Sequence, residues 1–213
     1  MGIGKAKGVT MTLQEQVTAA LERIREGWCD PAKGIAIAET VIREGCNTCV
    51  EIGVFAGKSL IATAIGLSHQ GKGVVYGIDS WQASDSLVDA VDDVARNWWS
   101  TIDIEDIYRQ LLGNVAVSGV AKHICILRMT SFDASKVVSR PIDLLHVDGH
   151  HSEWSSTSDV VLWLPKVRPG GIVLMDDVNW PSTQTAIKFV EKWCDKIKTI
   201  EGKESTSSFY RKR

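Results

Sequence analysis

Two hydrophobic rhythms divide the chain. In its first fifth, apolar residues recur every three to four positions; from Thr48 onward they gather in short runs separated by polar stretches. Leu13, Val17, Ala20, Leu21 and Ile24 form one helical stripe within residues 12–26, with Thr12 as N-cap and Glu15 three positions later. Ile35, Ile37, Ala38, Val41 and Ile42 repeat the stripe within residues 31–44, and Gly45 stops it. The two helices predict a cap beside the domain entrance, preceded by a disordered Gly- and Lys-rich start over residues 1–8. The short apolar runs predict strands at 49–53, 73–79, 123–127, 142–148 and 171–176. Between and after them, helices are predicted over 58–68, near 87–99, and over 104–118 and 183–194. The closing segments 197–200 and 207–211, parted by Gly202 and polar residues, predict an antiparallel pair.

Strands alternating with helices imply right-handed βαβ units. The expected architecture is therefore α/β: a Rossmann-like doubly wound, mostly parallel seven-stranded sheet with a C-terminal antiparallel strand pair and an N-terminal helical cap. Residues 1–45 are assigned to the tail and cap, and residues 46–213 to the main domain. The polar stretch 80–119 is assigned to a lid over the substrate.

Composition narrows the functional classes. With 213 residues, 44% hydrophobic content and a net charge of -2, the chain suits one globular domain without a nucleic-acid or membrane surface. The basic residues near 196–203 and 211–213 read as a solvated tail. No apolar stretch is long enough to span a bilayer and no signal-peptide pattern is present, so a cytoplasmic location is expected. Five scattered cysteines argue against a disulfide framework; Cys46 and Cys49 read as reduced thiols near a strand start.

The chemistry gathers where strands should end. Asp148 closes the fourth predicted strand, with His150 and His151 just after it; Asp176 and Asp177 close the fifth. In open parallel sheets, ligands bind beyond the carboxyl ends of the strands. Carboxylates brought together there repel unless a cation neutralises them, and hard oxygen ligands suit Mg²⁺ or a similar ion. A metal-assisted site on Asp148, Asp176 and Asp177 follows. Earlier in the chain, Gly53 and Gly57 turn the first strand into its helix, whose N-terminus favours an anion. Asp79 ends the second strand, where an acid accepts hydrogen bonds from ribose hydroxyls. Glu51, inside an apolar strand, requires a partner that a cationic ligand group would supply. His146 is expected to be a hydrogen-bonded core residue.

From about Thr48 onward, Glu51-x-Gly53-x-x-x-Gly57 with Asp79 resembles the class I S-adenosylmethionine-dependent methyltransferases. That resemblance implies Gly53, Phe55 and Ser59 around the methionine moiety, Glu51 at its amino group or at the ribose, and Ser131 beside adenine. It also places Ser80 and Asp148 at the cofactor. Within the superfamily, Asp148-Gly-His-His151 with Asp176-Asp177 is similar to the metal-dependent small-molecule O-methyltransferases, catechol-type and macrocin-like. By that likeness Asp148, Asp176 and Asp177 hold Mg²⁺ or a similar divalent ion, and His151 is the general base. The Mg²⁺ would lower the pKa of a bound hydroxyl, and His151 would remove its proton.

Eight tryptophans are many for this length. Trp163 and Trp193 are expected in the core, Trp81 against adenine and Trp180 beside the acceptor. The acceptor is expected to be a small hydroxylated molecule: a sugar, a natural product or a catechol. A homo-oligomer remains open. Two alternatives stand beside this reading. One is another metal-dependent enzyme, such as a hydrolase or a cephalosporin-hydroxylase-like oxygenase; the other is a non-catalytic domain that retains S-adenosylmethionine affinity.

Overall fold

A computed structural model describes residues 11–82, 84, 93–203 and 205–213. The expected disordered start and the first part of the helix expected near 87–99 lie outside the described residues. Seven strands form one sheet: β1 (Thr48–Ile52), β2 (Val74–Asp79), β3 (Ile124–Arg128), β4 (Ile142–Val147), β5 (Val167–Met175), β6 (Cys194–Glu201) and β7 (Thr206–Lys212). Their order is β3-β2-β1-β4-β5-β7-β6. The first five run parallel, and β7 pairs antiparallel with both β5 and β6. The Rossmann-like expectation holds, including the closing antiparallel pair.

The helices are α1 (Leu13–Arg23), α2 (Pro31–Arg43), α3 (Lys58–Gln70), α4 (Asp93–Thr101), α5 (Ile104–Val117), α6 (Ser131–Val137), α7 (Glu153–Trp163) and α8 (Gln184–Trp193). The capping box foreseen at Thr12 and Glu15 is present. Helices α6 and α7 escaped the periodicity reading. Thr130 and Ser152 cap them through their side chains, but α6 has seven residues and α7 carries the polar run Ser155–Ser158 through its middle.

Because side chains alternate across a strand, the sheet buries two cores. Cys49, Leu144, Ile172 and Leu174 face α1, α2 and α3, where Val17, Leu21, Ile37, Val41, Leu60 and Ile61 pack. Val50, Ile52, Leu145, Val147, Val173 and Met175 face α6, α7 and α8, with Ala134, Val160, Trp163 and Val190. Gly66 lets α2 lie close on α3, since a Cβ there would come within 2.8 Å of the Ala38 carbonyl oxygen. Trp193, expected in the core, is instead more than half exposed, at the C-terminal end of α8. Its helix buries Ala186, Ile187 and Val190; position 193 continues their phase but is the last residue of α8, where the chain turns into β6. All five cysteines are free thiols.

Candidate active site

The same alternation selects the lining of the crevice. Glu51 pairs in register with His146, and His146 with Leu174. Two residues further along, Asp148 and Asp176 continue that row beyond the strand ends. All four acids and bases of the row therefore lie on the α2 side of the sheet.

Helix α2 brings a residue that the sequence reading did not single out. Lys33 sits four and eight positions before Ile37 and Val41, on the same buried stripe, and all three are essentially inaccessible. Its Nζ lies 3.3 Å from Asp148 Oδ2 and donates a close hydrogen bond to Asp176 Oδ2. A lysine on the apolar face of an amphipathic helix was the available signal. Burial works to lower the Lys33 pKa, but the charge and hydrogen bond of Asp148 act against it and the net shift is upward. The other oxygen of Asp176 accepts from Ser207 Oγ at 2.6 Å and from the Asp177 N–H at 3.1 Å.

Asp177 turns the other way. Its φ of +47° is left-handed, and its carboxylate meets His151 Nε2 at 3.0 Å; Asp148 Oδ1 lies 4.0 Å from the same nitrogen. The three acids expected to act as one set thus form two overlapping ones that share Asp148. The inner set is His146, Asp148 and Asp176, and the outer is Asp148, His151 and Asp177. In each, the ligand atoms lie within 4.8 Å of one another. The outer set offers two carboxylates and an imidazole at a half-open rim, which suits a divalent ion. The inner set already surrounds an ammonium. Trp180 stands 5.2 Å from the His151 ring.

Burial works to lower the His151 pKa, yet its hydrogen bond to Asp177 and the Asp148 charge carry it above the ordinary value. His146 is fully buried, and burial pulls it down to about 3 despite Asp148. It is not the hydrogen-bonded core residue expected: neither ring nitrogen has a partner, with Glu51 Oε2 3.4 Å from Nδ1. Burial likewise pushes Glu51 up to about 8, against a hydrogen bond from Ser59 Oγ at 2.8 Å. Its second oxygen is buried without a hydrogen-bond partner.

At Gly53 the loop after β1 packs directly on the backbone that follows β4. Gly53 has φ +82°, and a Cβ there would lie 1.9 Å from the Asp148 carbonyl oxygen. Gly57, at φ +91°, caps α3 without a side chain. Asp79 closes this loop itself, accepting from the N–H groups of Val54 and Phe55 on one oxygen and of Trp81 on the other. Trp81 is buried and donates to the Phe55 carbonyl, locking the β1 and β2 loops together. Ser80, beside it, is half-buried. Among the described residues, Phe55, Trp81 and Asp177 alone combine a side chain with positive φ. All three lie beyond strand carboxyl ends, where strain concentrates at working sites. Ser131, expected beside adenine, accepts from Trp163 Nε1 at 2.8 Å and also bonds Asp159. Burial raises Asp159 to about 6, and the Ser131 bond opposes it.

A family model described as a methyltransferase domain matches residues 50–178. The chain belongs to that family, and the matched span runs from β1 through the Asp176–Asp177 pair. Solved structures share its fold. An O-methyltransferase from Bacillus cereus in complex with SAH is 15% identical, with a TM-score of 0.65 over 97% of this chain and 94% of that one. The O-methyltransferase TomG from Streptomyces achromogenes, involved in tomaymycin synthesis and bound to SAM, is 16% identical, with a TM-score of 0.65 over 96% and 91%. The SAH-bound Podospora anserina methyltransferase PaMTH1 is 14% identical, with a TM-score of 0.66 over 93% and 88%. No helix among the described residues is long and apolar enough to cross a membrane.

Proposed function

We propose that this chain moves a methyl group from S-adenosylmethionine to a hydroxyl oxygen of a small molecule, with His151 taking the proton. The observation that carries the reading is the convergence of Asp148, His151 and Asp177 where the β1 and β4 loops meet at Gly53, on a methyltransferase domain. The buried, unpartnered Glu51 oxygen would take a ligand cation such as the cofactor's amino group. Ser59 orients Glu51 from the first turn of α3. Residues Asp148 and Asp177 fit a divalent cation of the Mg²⁺ type, which when bound would polarise the acceptor hydroxyl.

His151 has the reach and the chemistry of a base. Paired with Asp177 it favours its charged form; engagement of Asp177 elsewhere lets the imidazole discharge and accept the hydroxyl proton. The freed oxygen then attacks the sulfonium methyl in line, and the departing neutral thioether is S-adenosylhomocysteine. Trp180 beside His151 offers an apolar wall to a planar or ring-shaped acceptor. An oxygenase would use two histidines and one carboxylate; no such set occurs among the described residues.

The test is calorimetric titration of S-adenosylmethionine, coupled to release of S-adenosylhomocysteine against a panel of catechols and sugars. Wild type and His151→Ala should bind the cofactor alike, and only wild type should turn over. Cofactor binding absent from both, or turnover unchanged in His151→Ala, would refute the assignment.

A further inference from the structure

Lys33, Asp176 and His146 take no part in the chemistry proposed above, yet all three are buried beside it. The ammonium of Lys33 is set by three restraints. Asp30 caps α2 by accepting from the Lys33 N–H at 2.9 Å, Ile37 and Val41 anchor the helix in the core, and Gly66 seats it against α3. To leave its position, Lys33 must drag a packed helix or bury its charge unpaired, and breaking a buried pair is costly. Asp176 is already fully engaged: Lys33 on one oxygen, Ser207 and the Asp177 N–H on the other.

A second, independent observation marks the position as a cation seat. His146 is 1% exposed, and its two ring nitrogens have no hydrogen-bond partner. Its Nε2 lies 3.7 Å from Asp148 Oδ2 and 3.9 Å from Asp176 Oδ2, the two oxygens that flank the ammonium. One imidazole and two carboxylates are a transition-metal ligand set, and the Lys33 ammonium, bonded to the two carboxylates, leaves the imidazole unbonded. The geometry points to Lys33 as a tethered cation that permanently fills the inner seat between Asp148 and Asp176, so that a divalent ion is admitted only to the outer seat of Asp148, His151 and Asp177. The clause about the outer seat rests on the metal reading proposed above; the clause about the inner seat does not. Lys33 is thereby a positioning residue: it holds Asp148 to Asp176 without metal and ties the N-terminal helices to the site.

Mn²⁺ binding, followed by electron paramagnetic resonance on cofactor-free full-length protein, tests both clauses. In wild type, Asp177→Asn should weaken Mn²⁺ binding roughly tenfold or more, whereas Asp176→Asn should leave it unchanged. Lys33→Met should gain an additional Mn²⁺ per chain, and Lys33→Met/His146→Phe should lose that gain. Lys33→Arg, which keeps a cation in place, should gain nothing. Wild type that binds no Mn²⁺ while Lys33→Met does would uphold the inner seat and overturn the outer one. The proposal falls if Asp176→Asn abolishes Mn²⁺ binding in wild type, or if Lys33→Met binds no more than wild type. Should Lys33→Met not fold, the Asp176→Asn and Asp177→Asn comparison decides alone.

Discussion

Replacing Gly53 by alanine should damage this protein more than replacing Gly57, although both glycines have left-handed backbones in the same loop. Each substitution incurs left-handed strain of about 1–2 kcal/mol. They differ in what the new methyl group meets. At Gly53 it would lie 1.9 Å from the Asp148 carbonyl oxygen, 2.5 Å from its carbon and 2.7 Å from Gly149 Cα, all backbone. At Gly57 the obstacle is Leu111 Cδ1 at 2.4 Å, with the next atom 3.9 Å away. A leucine tip rotates, but the Asp148 carbonyl belongs to a segment whose N–H is bonded to Ile52 O at 2.9 Å. Forcing the two strand ends apart adds an overpacking cost of about 1–3 kcal/mol. The expected losses are about 2–5 kcal/mol for Gly53→Ala and about 1–2 kcal/mol for Gly57→Ala, using the same two magnitudes. For a chain of this size, Tm should fall by about 4–20 °C in the first case and about 2–8 °C in the second. Urea unfolding gives the free energies, and titration of S-adenosylmethionine should show weaker binding in Gly53→Ala because Asp148 has shifted. Equal losses, or a milder Gly53→Ala, would refute the close backbone approach of the β1 and β4 loops at Gly53.

Other outcomes can be checked in the same preparations. Glu51, raised by burial to about 8, holds a proton in the folded state that it releases near 4.5 when unfolded. Its contribution is therefore complete below pH 4.5 and declines as pH rises to about 8, by roughly 3–5 kcal/mol. Urea unfolding of cofactor-free protein should show that decline in wild type and lack it in Glu51→Gln. His146, lowered to about 3, acts in the opposite sense: its contribution is complete above pH 6.5 and fades as pH falls towards 3, a limb that His146→Phe should remove. Ser131→Ala should cost about 1–3 kcal/mol by stranding Trp163 Nε1 and Asp159, while S-adenosylmethionine affinity stays near wild type. A large loss of cofactor affinity without loss of stability would instead support the expected place of Ser131 beside adenine.

Much of the architecture was legible because it follows from local periodicity. Short apolar runs such as 142–147 and 171–175, bounded by turn residues, read as buried strands and are strands, and Thr12 with Glu15 fixes a helix start through neighbours three residues away. Glu51, Asp148 and Asp177 stood out for a similar reason, as acids at or just beyond the ends of apolar strands. What the tertiary structure alone decided was direction and partnership. That Asp176 faces inward to Lys33 and Ser207 while its neighbour faces His151 depends on a left-handed turn at Asp177 and on α2 lying over the sheet. Lys33 stands 115 residues before Asp148 in the chain. No local pattern couples positions so distant; only the packing of α2 over α3 and the parallel register of β1, β4 and β5 bring their charges into one low-dielectric space, where each is stable because the other is there.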